Sequence, residues 1–157
     1  MTDIEKLTGL FAALGAANPE SWAISEIDED LPQLARYRLL RATSRDVAAW
    51  EGAASRWVEG YQRGGPASEP ISRALAAGVT VEDLGVIARE VARETALGLL
   101  YRLSDPTDDA APAGMEADLP GWQLVEISAA GEATGRVLDG LYEDLAELDG
   151  TREGEGR

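Results

Sequence analysis

The 157-residue chain carries 29 acidic and 14 basic side chains, a net charge of −15, and has neither cysteine nor histidine. That excludes disulfides, thiolate chemistry, a Ser-His-Asp triad, and the commonest general base and transition-metal ligand. The carboxylate surplus also speaks against direct contact with nucleic acid or an anionic membrane, since either needs a basic footprint.

The length suits a single globular domain over 1–150, large enough for a core of its own. A hydrophobic content of 45% is ordinary for such a domain. Asp3 and Glu5 stand where a signal peptide has cations, so a soluble cytoplasmic protein is expected. The acidic surplus is uneven. Residues 1–78 hold 8 basic and 11 acidic groups, whereas residues 79–157 hold 6 and 18.

In chain order, Ile4, Leu7, Leu10, Phe11 and Leu14 make the apolar stripe of a first helix, capped by Thr2 or Asp3 and ended by Gly15. Asn18-Pro19 starts a short second helix with Trp22, Ala23 and Ile27 facing inward. The acidic run Glu26, Asp28, Glu29, Asp30 then leads into a helix opened by Leu31-Pro32 with Asp30 as cap. Arg36, Arg38 and Arg41 follow toward its far end, an order the helix dipole favours. The same carboxylates offer an alternative site for Mg²⁺ or for a partner's arginine.

Ser44 is expected to cap another helix reaching Tyr61, with Val47, Trp50, Ala54, Trp57, Val58 and Tyr61 on one stripe. Trp50 and Trp57 are seven apart and share a face. They form either a core seam or an exposed anchor patch, since aromatic side chains dominate interface hot spots. Residues 70–77 make a short helix stopped by Gly78.

The longest helical pattern runs from Thr80 to Leu103. Thr80 and Asp83 form a variant capping box at its start. Leu84, Ile87, Ala88, Val91 and Thr95 predict an inward stripe, with Glu90, Arg93 and Glu94 opposite. From Leu97 to Tyr101 the pattern is apolar all round, which predicts burial in the middle of the protein. Asp105-Pro106 ends it.

Residues 104–120 show no period and read as a surface loop, in which Asp105, Asp108 and Asp109 lack EF-hand spacing. Alternation from Trp122 to Ile127, a turn at Ala129-Ala130-Gly131 and a return over 134–138 predict a small β-hairpin. Asp139 or Gly140 opens a last helix with Leu141, Leu145 and Leu148 inward. Asp139, Glu143 and Glu147 line its other face at four-residue intervals, beside Asp144. That row is either a solvated face or a carboxylate ridge for a basic partner. Residues 151–157 read as a disordered charged tail.

The expected fold is mainly α. About six or seven helices surround a central helix over 80–103, with a hairpin near 122–138. No phosphate loop, dinucleotide fingerprint or G-x-S-x-G elbow occurs. No cofactor, metal site or catalytic residue is expected. The composition fits a non-enzymatic, acidic protein-binding module of the inhibitor, immunity-protein or adaptor type that engages a basic partner. Its partner-binding candidates are Asp139, Glu143, Asp144, Glu147, Trp50 and Trp57. One alternative is an accessory subunit docking through the aromatic helix face. Another is a Mg²⁺-dependent enzyme using Glu26, Asp28, Glu29 and Asp30 or Glu90 and Glu94.

Overall fold

The structure is a computed structural model and describes residues 2–105 and 120–145. Residues 106–119, the expected tail over 151–157, and Glu147 and Leu148 of the last helix lie outside them.

The fold is mainly helical with a small antiparallel hairpin, as the periodicity predicts. The helices are α1 (Asp3–Ala13), α2 (Pro19–Asp28), α3 (Gln33–Gly52), α4 (Ala54–Gln62), α5 (Ser68–Ala76) and α6 (Val81–Ser104). Strands β1 (Val125–Ile127) and β2 (Ala133–Val137) follow, and residues 141–145 form a helical segment, α7. The chain forms two compact units. The first joins the residues up to Arg41 to those from Leu99 onward, and the second is 42–98. Both α3 and α6 run through the boundary. No helix among the described residues is long and apolar enough to cross a membrane.

In the first unit, α1 begins with a full capping box. Thr2 Oγ1 accepts from the Glu5 N–H, and the Glu5 carboxylate accepts from the Thr2 N–H. Gly15, at φ 83°, ends α1 and lets the Gly15 and Ala16 N–H groups return to Ala12 and Phe11. The reversal stacks α1 on α2. Phe11, Ala23 and Tyr37 are buried together, with Ile4, Leu7, Leu14, Trp22 and Leu34 packed around them. The three rings of Phe11, Trp22 and Tyr37 meet pairwise at centroid distances of 5.3 to 5.9 Å, the range aromatic pairs favour. Trp22 is therefore a core-edge residue. Ile27, expected to face inward with it, is exposed.

The start of α3 departs from expectation. Asp30 does not cap it, because Asp30 adopts a left-handed conformation at φ 52°. The helix opens at Gln33, and its Leu34 N–H is taken instead by Glu26 Oε2 of α2 at 2.7 Å. A carboxylate from the preceding helix thus satisfies an N-terminal donor that has no intrahelical acceptor.

Ser44 does not open a helix either. It is buried in the interior of α3, which continues to Gly52 because residues 41–46 contain neither glycine nor proline to stop it. The break falls at Ala53, inside the expected helix. There the Trp57 indole N–H donates to the Trp50 carbonyl at 2.6 Å, and α4 begins afresh.

In the second unit, Val47, Ala54, Val58 and Ile71 are buried. Gly78, at φ 93°, ends α5, with the Gly78 and Val79 N–H groups returning to Leu75 and Ala74. Thr80 and Asp83 form the expected box. The Asp83 N–H donates to Thr80 Oγ1 at 3.0 Å, and both Thr80 donors reach Asp83 Oδ2. These backbone and side-chain hydrogen bonds from Thr80 hold the Asp83 carboxyl below its ordinary value.

Beyond this first turn, α6 is rotated by about a quarter turn from its predicted stripe, keeping Leu84 and Ala88 partly buried. Ile87 and Val91 are exposed, and the surface turned inward carries Gly85, Ala88, Arg89 and Ala92. The cause is close approach. A Cβ at Gly85 would stand 2.8 Å from Ala54 Cβ and 3.3 Å from Glu51 Cα, so only a residue without a side chain fits. Of the apolar run from Leu97 to Tyr101, Leu100 alone is buried; Leu99 and Tyr101 are exposed. Tyr101 instead packs edge-on against Tyr142 of α7, at 5.2 Å.

The hairpin pairs Val125 with Val137 and Ile127 with Ala133. The register slips between these pairs, and Gly135 at φ 83° takes up the irregularity. Ser128 organises the turn, its Oγ accepting from the Ala130 and Glu132 N–H groups. Gly140 then starts α7, its carbonyl accepting from Glu143 and Asp144. Leu141 and Leu145 are fully buried, as their spacing predicts.

Candidate functional site

Of the acidic partner-binding candidates at this end of the chain, one is drawn into the fold. Asp144 turns inward and pairs with Arg36 of α3 at 2.5 Å, both side chains being largely buried. It is a structural tie between α7 and α3. Asp139 and Glu143 remain exposed. Asp139 precedes the helix, and its carboxylate accepts from the Gly140 N–H at 2.7 Å. Glu143 accepts from the Tyr142 hydroxyl at 2.9 Å, and this hydrogen bond with the adjacent negative charge raises the phenol above its ordinary value. A cavity of about 110 Å³ opens beside Asp139, between Trp122, Leu124 and Val137. Its volume suits a few waters and falls well short of a metabolite pocket, for which about 300 Å³ is a lower bound.

The acidic run over 26–30 was one of the two metal candidates. Its first carboxylate, Glu26, is engaged by the protein through both oxygens. Glu26 Oε2 holds the Leu34 N–H, and Glu26 Oε1 accepts from Arg136 of β2 at 3.1 Å. The same guanidinium grips Glu126 of β1 through Nε and Nη2 at 2.7 to 2.9 Å, donates to the Leu31 carbonyl, and lies 3.8 Å from Asp30. Burial opposes the charge on Arg136, but Glu126 and Glu26 together outweigh it and raise its pKa. This clasp fastens the hairpin to the α2–α3 connection. Sequence reasoning passed over Arg136. Its signal was there: it is the single cation between Arg102 and Arg152, in a stretch crowded with acids. The other metal candidates, Glu90 and Glu94, lie on α6 beside Arg89 and Arg93, at 4.0 and 3.0 Å. Among the described residues, no group of three acidic side chains is placed to hold a metal ion.

In the second unit, the Trp50–Trp57–Tyr61 stripe is an open ladder. Trp57 meets Trp50 edge-on at 5.7 Å and Tyr61 edge-on at 6.0 Å. Trp50 is 37% and Tyr61 42% exposed. Trp57, between them, is half-buried, so the stripe is partly open to solvent. The Trp57 indole donor is already taken by the Trp50 carbonyl.

No protein-family model, no curated protein and no solved structure matches the chain.

Proposed function

We propose that the protein is a non-enzymatic, acidic protein-binding module, of the inhibitor, immunity-protein or adaptor type, that engages a basic surface on its partner. The observation that carries this is the partition of charge between the units. The first unit holds 21 acidic and 8 basic groups, a net of −13, while the second is nearly balanced at −2. Two of the first unit's arginines, Arg36 and Arg136, are drawn into structural ion pairs. The exposed Asp139 and Glu143 are left to set the local potential. Such a field steers a cationic partner onto the surface and raises the association rate.

The test is affinity capture from native cytosol at several salt concentrations, using the wild-type chain and a variant carrying Asp139→Asn, Glu143→Gln and Glu147→Gln. A genuine partner is held by the wild type at low salt. The variant is expected to weaken capture about tenfold, since three rim charges each contribute roughly 0.2–1 kcal/mol. Capture indifferent to both salt and the three changes overturns the electrostatic reading.

A second reading is favoured by the aromatic ladder. Trp50, Trp57 and Tyr61 on an open face fit an accessory subunit that docks through aromatic anchors. Trp50→Ala with Tyr61→Ala would then abolish assembly that the acidic changes leave intact.

A further inference from the structure

Among the described residues, the most exposed large aliphatic side chains lie on α6. Val86 is 49%, Ile87 59% and Val91 62% exposed, although their residue types are among those most often buried. At the angular step of an α-helix, Glu90, Asp83, Glu94 and Ile87 fall within about 60° of one another. Val91 continues that face on one side, and Val86 and then Glu82 on the other. The carboxylates dominate its charge. Glu90 and Glu94 are 52% and 71% exposed, whereas the neighbouring Arg89 and Arg93 are 23% and 28% exposed, and Arg89 reaches back to Glu51. The Asp83 carboxylate accepts from the Thr80 N–H and hydroxyl. An apolar row with acids alongside is complementary to one kind of surface: an amphipathic helix with an apolar stripe bordered by lysine and arginine. A second copy of this chain is a poor match. Antiparallel α6 helices would bring Glu90 and Glu94 of both copies together, and each chain carries −15.

We infer that the outward face of α6 from Glu82 to Gly98 docks an amphipathic, lysine- and arginine-bordered helix of a partner protein. The inference rests on the protein-binding reading above and moves its principal contact from the 139–147 region to α6. The contact is about 25 Å long, enough for four to five turns of a partner helix.

The test uses the full chain, labelled with ¹⁵N, and a synthetic peptide of about 18 residues with a leucine stripe flanked by lysines. Two control peptides are used. One has the same composition scrambled so that no stripe forms, and the other has glutamates in place of the lysines. Amide shifts over 82–98 are expected with the lysine peptide, and at least about tenfold weaker binding with either control. Ile87→Ser with Val91→Ser should weaken the lysine peptide about tenfold at an unchanged melting temperature, because both side chains are solvent-exposed. Glu90→Gln with Glu94→Gln should weaken it about threefold and flatten its salt dependence.

Equal binding of the scrambled peptide, or shifts mapping away from α6, overturns the inference. So does sedimentation as a dimer that dissociates on the Ile87 and Val91 changes, which would make a second copy the occupant. Binding to anionic lipid vesicles through the same residues also overturns it. If peptide binding follows Asp139→Asn with Glu143→Gln and ignores the α6 pairs, the inference fails and the protein-binding reading stands. If lysine and glutamate peptides bind alike and no charge variant matters, both fail.

Discussion

Arg136 shows how a single side chain can carry long-range order in an acidic protein. Its guanidinium serves Glu126 ten residues away and Glu26 and Leu31 more than a hundred residues away. Glu26 and Glu126 are 10% and 12% exposed, so removing the cation strands two carboxylates at low solvent access. Arg136→Met keeps much of the aliphatic stem and deletes the charge. It is expected to lower unfolding free energy by about 2–3 kcal/mol in urea titration, the range for a charge-assisted network broken on one side. A loss under 0.5 kcal/mol would show that water satisfies the two acids unaided. Arg136→Lys should recover only part of the loss, because an ammonium cannot reproduce the forked grip on Glu126.

The helices differ in how they tolerate added bulk, and α6 contains the contrast within itself. Gly85 is pressed against Ala54 and Glu51, whereas nothing lies within 4 Å of a Cβ at Gly98. Gly85→Ala gains helix propensity of about 1 kcal/mol but incurs an overpacking cost of about 1–3 kcal/mol, so net destabilisation is expected. Gly98→Ala gains the propensity without the clash and should stabilise by about 0.5–1 kcal/mol. Thermal melts of the two single variants check both signs. Local signals in the sequence narrowed the α1 cap to Thr2 or Asp3 and located the α6 capping box, the glycine stops at Gly15 and Gly78, and the hairpin turn, because each is decided within a few residues. The junction of α3 and α4 was not legible, since it coincides with a side-chain bond from Trp57 to a main-chain carbonyl. Nor was the rotation of α6. Ile87 and Val91 promise an inward stripe by type, and Gly85 overrides them through close approach to Ala54. Of the candidate site, the exposure of Asp139 and Glu143 was legible from spacing. The inward turn of Asp144 was not, because it depends on Arg36, 108 positions earlier.

For the molecule as a whole, charge and connectivity follow the same division. The strongly acidic unit is the one assembled from both ends of the sequence, and the nearly neutral unit is the continuous piece between them. Like charges therefore repel within the unit whose parts are farthest apart in sequence. Among the described residues, Arg36–Asp144, Arg136–Glu26 and Arg136–Asp30 are opposite-sign contacts that bridge its two segments.

This division has a consequence for the order of folding. During synthesis all residues of the continuous unit have been made once Gly98 is added. The N-terminal segment, by contrast, waits for Arg136 and Asp144 before its ion pairs can close. Loop closure over a hundred residues is entropically slow beside the short-range contacts of α4 with α5. The inserted unit is thus expected to acquire hydrogen-exchange protection first. Pulse-labelling of refolding chains should find the amides of 54–76 protected ahead of those of β1 and β2, and the reverse order would contradict it. Until the clasp closes, the hairpin and α7 lack their ties to α2 and α3. That interval, rather than the finished fold, is where the chain is most vulnerable to aggregation or proteolysis.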